Sequence, residues 1–368
     1  MSAYSGQGVG SGYATDYSRD PVESVVRFMH STQIVRSAVL LGGFIFAVMN
    51  RKLWFGVDLI ATSLFAAAWF LFPQMLLDFQ VSRTTLDGVD LQMARMYGAV
   101  LLGNAVLQFI LTKFTKDPET VHPCLLFHRV ITNVVLLIAM IDVQLFSKAW
   151  SHEHVTFGML GAFLWALGSL VHLVRGGYPG GHLQRTGRPI NKFLLFDFVL
   201  ATAIGFTLYG FPRWFLRNFT LIRTLDGVHE HLTRAVGASL FGTGIFAFQA
   251  VGFQDDRDKE AHFIQRMVIN GALFVSLLYS QFFYYKEWHM VNTWGVQFAL
   301  ILWFIHSYLG YTAEGYQLRY VPRTATGSSR ITTSTRETIK DRSLYNRSPG
   351  GSILRDREYA GDYDHRDE

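Results

Sequence analysis

Cysteine is all but missing. The lone Cys124 rules out a disulfide within the chain and says nothing about redox compartment. Charge is scarce as well: Asp, Glu, Lys and Arg make up 17% of 368 residues, against about a quarter in soluble domains. Much of that charge sits at the two ends, which leaves residues 53–311 strongly depleted. No Gly-rich phosphate loop occurs, no nucleophile–base arrangement, and no His/Cys/carboxylate set with metal-ligand spacing. The sequence therefore reads as a protein that is not an enzyme and carries no cofactor or metal. The net charge of +5 is spread over loops and tail. Without one basic face it is no footprint for nucleic acid. No cleavable leader is expected either. The first apolar run starts near residue 34, behind a Gly/Ser/Tyr-rich segment, so an internal anchor is expected to direct insertion.

Apolar residues are what the chain has in plenty, at 50% of the total. Runs of 17 to 22 residues recur at about 54–73, 94–113, 126–147, 154–174, 193–212, 233–253, 265–285 and 290–311. At 1.5 Å per residue each is long enough for about 30 Å of hydrocarbon. The expected fold is all-α, a multi-pass integral membrane protein with eight spans. A shorter apolar stretch, residues 33–49, reads as a re-entrant or interfacial segment, or as a ninth span.

The second four runs copy the first. Thr85-Leu86-Asp87-Gly88-Val89 leads to Arg95, Gly98, Ala99 and Gly103, and the same residues return at Thr224-Leu225-Asp226-Gly227-Val228, Arg234, Gly237, Ala238 and Gly242, at an offset of 139. Phe72-Pro73 returns as Phe211-Pro212, Asp58 as Asp197, and Arg129 with Asn133 as Arg266 with Asn270. An internal duplication of a helical bundle explains this. Four spans per copy is an even number, so both copies enter from the same side, as parallel units related by a pseudo-twofold along the membrane normal.

The expected organisation is a disordered N-terminus (1–20), an amphipathic or re-entrant segment (21–52), a first four-helix unit (53–174), a cytosolic linker (175–191), a second unit (192–312) and a disordered cytosolic tail (313–368). Basic residues in short loops set the orientation, with the linker and C-terminus cytosolic and the Asp-Gly turns outside or in the lumen. Endoplasmic reticulum and plasma membrane are not distinguished by it.

Ionisable residues inside spans are costly unless paired. Depth and direction predict two interhelical pairs, Asp58–Arg129 and Asp197–Arg266, with Asn133 and Asn270 one turn deeper on the Arg face. They serve as structural locks or, alternatively, as an ion path. At the outer turns, Asp87 and Asp226 are expected to cap the helices that follow or to meet Arg95 and Arg234. Asp142 is a functional asymmetry or a partner for Lys148. Asn218-Phe219-Thr220 is a glycosylation sequon. His172 and His306 lack facing partners for haem.

The order Phe72-Pro73, Asp87-Gly88, then Arg95-Met96-Tyr97-Gly98-Ala99-Val100-Leu101-Leu102 resembles the four-span tumour protein p53-inducible protein 11 family. The likeness is best over the first two spans of each unit, and the chain would be a doubled version. The resemblance implies an integral membrane protein and supplies no functional residues. The function expected is a scaffold or accessory subunit acting on a protein partner through its lipid-facing helices and cytosolic tail. The alternative is a transporter or channel.

Overall fold

The computed structural model describes residues 32–82, 85–147, 149–176 and 188–313. The expectations for the N-terminus, most of the linker, Lys148 and the tail lie outside the described residues. Those described form α1 (Thr32–Val48), α2 (Arg51–Leu71), α3 (Pro73–Gln80), α4 (Gly88–Phe114), α5 (Pro118–Phe146), α6 (His152–Gly176), α7 (Pro189–Gly210), α8 (Pro212–Phe219), α9 (Gly227–Ala250), α10 (Asp256–Phe283) and α11 (Met290–Thr312). Among them there is no sheet, only two isolated antiparallel bridges, Val81–Trp150 and Thr220–Trp288.

Six helices are long and apolar enough to cross a membrane: α2, α4, α5, α6 from Val155, α7 and α10. α9 and α11, at 24 and 23 residues, have the length. They fall short in apolarity because α9 opens on His229, Glu230, His231 and Arg234, and α11 carries Asn292, Gln297 and His306. Residues 32–48 form one continuous helix of 17 residues that does not turn back on itself.

Local chemistry explains most boundaries. Asp117 and Asp255 accept backbone N–H bonds at the starts of α5 and α10, so both helices begin some nine residues ahead of their apolar runs. At Phe72 and Phe211 the chain breaks, and Pro73 and Pro212 occupy the first position of the short helices α3 and α8, where a missing N–H costs nothing.

The quartets α2/α4/α5/α6 and α7/α9/α10/α11 do not stand apart as two bundles. α4 packs on α2 and then, across the molecule, on α10. α9 packs on α7 and across on α5, and α4 also touches α9. Within each quartet the second and third helices scarcely meet. The small residues place these contacts: Gly103 lies against Ile269 of α10, and Gly242 against Thr132 and His128 of α5. The Ala-xxx-Gly stripes thus serve the seam between quartets. Uncharged polar side chains also meet in the interior. Gln92 donates to Ser276 at 3.0 Å, Gln265 to Asn104 at 2.6 Å and Gln297 to Gln281 at 2.7 Å, all buried. Such bonds tie helices together where apolar contact alone gives little preference over lipid.

Candidate functional site

Asp58 and Arg129 meet as a fork: Nε donates to Oδ2 at 3.0 Å and Nη2 to Oδ1 at 2.9 Å. Trp165 Nε1 donates to Asp58 Oδ1 at 2.8 Å, Gln108 Oε1 accepts from Arg129 at 3.2 Å, and Thr62 contacts the guanidinium. Every helix of the first quartet therefore enters the network, α2 with both Asp58 and Thr62. In the second quartet Arg266 converges on a single oxygen, Asp197 Oδ2, from Nε at 3.2 Å and Nη2 at 2.9 Å. That oxygen also faces His262 Nε2 at 2.7 Å, while Trp303 Nε1 donates to Oδ1 at 2.7 Å and Thr243 accepts from Arg266 at 3.1 Å. Asp58 and Asp197 are both buried. In a low-dielectric interior such charges persist only with this density of donors.

Asn133 does not join. Its Nδ2 donates to its own helix, at Arg129 O, 2.8 Å away. Asn270 is buried but makes no hydrogen bond to the Arg266 pair. His172 packs on Trp54, and His306 on Phe193 and Phe196, in different quartets.

At the other end the two Asp-Gly turns come together. Asp87 Oδ1 accepts from Val89 and Asp90 N–H at 3.1 and 3.0 Å, and Asp90 Oδ2 accepts from Asp87 N–H at 3.3 Å. Asp226 Oδ1 accepts from Val228 and His229 N–H at 2.9 and 3.3 Å. Asp87 and Asp90 form a capping box in α4, and Asp226 caps α9 in the same way with His229 in the place of Asp90. His229 bridges them. Its Nδ1 lies 2.8 Å from Asp226 Oδ1, its Nε2 2.9 Å from Asp87 Oδ2 and 3.4 Å from Asp90 Oδ1.

Glu287, in the short 3-10 turn after α10, accepts from Val89 N–H at 3.1 Å. Four carboxylates thus crowd two helix N-termini, and the only buried cation among the described residues there is His229. With a carboxylate at each ring nitrogen, the imidazolium with both N–H groups donating fits the distances; the proton positions are inferred from them. His229 stands in the first turn of α9, ahead of the apolar run 233–253. Burial by itself would lower its pKa, but Asp226 and Asp87 accepting from it, with Asp90 nearby, carry it up to about 10. Burial, then the charge of Asp87, raises the Glu287 carboxyl. Asp87, Asp90 and His229 also bring one ligand atom each within 4.8 Å of one another. A divalent cation could use that donor set in place of the proton.

The arginines below the turns do not reach the aspartates. Arg95 and Arg234 follow Asp87 and Asp226 by eight residues, about 12 Å along a helix, and the aspartates are already engaged. Arg95 lies over the Tyr279 ring at 4.4 Å, and Arg234 pairs with Asp142. Asn218 is exposed in the last turn of α8 and donates to Trp214 O at 2.8 Å.

Several members of these networks escaped the sequence reading: Asp90, His229, Glu287, Gln108, His262, Trp165 and Trp303. Some left a signal in the spacing, since Asp90 and His229 are 139 apart and Trp165 and Trp303 are 138 apart. No curated protein and no solved structure matches this chain. Residues 56–312 match a domain of unknown function, DUF8292. That match covers more than half of the sequence, and the protein belongs to the DUF8292 family.

Proposed function

We propose that this protein is an eight-span integral membrane scaffold or accessory subunit, built by tandem duplication, with no catalytic role of its own. The observation that carries the reading is the closure of both intramembrane charges. Asp58 takes side-chain donors from α5 and α6, and Asp197 takes them from α10 and α11. Such a group holds helices in place.

Duplication is supported by equivalent contacts at the expected offset. Ser82 N–H donates to Ala149 O, and Leu221 N–H to Glu287 O. Ser151 N–H donates to Gln80 O, and His289 N–H to Phe219 O. The unit copied would be a four-span protein of the kind that the p53-inducible protein 11 resemblance suggests. Lipid-facing Phe65, Val199, Phe282 and Phe298, all exposed, offer surface for a membrane partner. Affinity purification of the full chain in mild detergent is expected to recover a stoichiometric membrane protein; a monodisperse lone protein would overturn the proposal.

A second reading, transport, has one observation in its favour. The buried His128 Nδ1, Thr132 Oγ1, Ser239 Oγ, Arg266 Nη1 and both side-chain polar atoms of Asn270 lack hydrogen-bond partners, which suits an internal file of water. Flux into proteoliposomes that is lost in Asn270→Leu would favour it.

A further inference from the structure

The two Phe-Pro corners leave a lateral groove each. The first, about 490 Å³, lies among α3, α4 and α10, and the second, about 710 Å³, among α8, α9 and α5. They occupy matching positions but differ in charge. Where the first has Gln74, Asp78, Leu91 and Arg95, the second has Arg213, Arg217, Glu230 and Arg234. In the first, Asp78 and Arg95 both line the groove, one charge of each sign, and Arg95 lies on Tyr279. In the second, three guanidinium groups face two carboxylates. Arg213 meets Glu230, Arg234 meets Asp142, and Arg217 forms no ion pair with any described residue.

Arg213 and Arg217 are four residues apart on α8, so they share one helix face, and both are exposed. The groove opens sideways beside exposed Phe146, Phe211 and Trp214. A cationic mouth above an apolar, laterally open rim matches a molecule with a phosphate at one end and acyl chains at the other. Arginine forks suit phosphate oxygens, and aromatic side chains suit the interfacial level of a bilayer. We infer that the second groove is a binding site for the headgroup of an anionic phospholipid, and that the first groove, neutral at the same positions, is not. The inference rests on membrane placement and is independent of the scaffolding role.

The test uses the full chain, purified in mild detergent. Native mass spectrometry follows equimolar addition of phosphatidic acid or of phosphatidylcholine with the same chains. One phosphatidic acid is expected to be retained in preference to phosphatidylcholine. Arg217→Gln should reduce its occupancy by about fivefold, the weight of one arginine at an anionic surface, with the lipid-free thermal midpoint unchanged. Gln74→Arg combined with Asp78→Arg should add a second retained lipid. That gain is readable even if Arg217→Gln folds poorly. Equal retention of both lipids, or undiminished occupancy in a folded Arg217→Gln, would overturn the proposal. So would displacement by millimolar glycerol phosphate, which would mark a site for soluble anions.

Discussion

Asp197 shows how the environment decides what a single side chain is worth. It is fully buried, and four donor atoms from three side chains surround its two oxygens. Removing it leaves Arg266 as an uncompensated charge in the interior, at a cost of about 3–5 kcal/mol. Thermal unfolding in detergent should therefore show Asp197→Ala as far less stable than wild type. Trp303→Phe keeps the ring over Arg266 but drops one bond to a carboxylate, and should lose about 1.5–3 kcal/mol.

His229 makes a pH prediction. Its folded pKa, about 10, lies above the ordinary value of 6.5, so the protonated form is favoured in the folded state. The stability it contributes is fully present below about pH 6.5 and declines as pH rises through about 10. Midpoints recorded between pH 7 and 10.5 should fall more steeply for wild type than for His229→Gln, and the two curves should converge at the alkaline end.

Among the elements, the close approach of α7 and α9 depends on glycine. A Cβ at Gly237 would lie 2.6 Å from the backbone nitrogen of Tyr209 and 2.7 Å from Gly205 O. Backbone cannot step aside as a flexible side chain can. Gly237→Ala should cost at least about 2 kcal/mol, read as a lowered thermal midpoint.

How far elements were legible follows from the same physics. Apolar periodicity and length located every long helix, because hydrocarbon thickness sets a hard scale. The Asp58–Arg129 and Asp197–Arg266 partners were legible because charge in an apolar run demands a partner at equal depth. The starts of α5 and α10 were not. Lys259, Glu260 and His262 read as loop, yet all three are buried in a helix that the Asp255 cap initiates. Likewise the role of His229 was not legible, because nothing within one turn announces that a second turn, 139 residues earlier, will fold against it.

On the scale of the whole molecule, the cross-packing of α4 on α10 and α5 on α9 makes each quartet complete only in the presence of the other. Residues 32–187 and 188–313 expressed separately should each aggregate in mild detergent. Co-expressed from one cell, they should co-purify as a 1:1 complex, readable by size exclusion with light scattering.

The unlike residues that close the two caps carry this point further. Asp90 and His229 hold corresponding places at the starts of α4 and α9, and they face one another across the middle of the protein. Two copies of the front portion associating with each other would set acid against acid at that spot, and two copies of the rear portion would set imidazole against imidazole. Only the mixed pairing balances. Under the duplication proposed above, a lineage that had acquired this mismatch could no longer return to self-pairing single-length subunits without first reversing it, so the joined polypeptide would be locked in by electrostatics as well as by the linker.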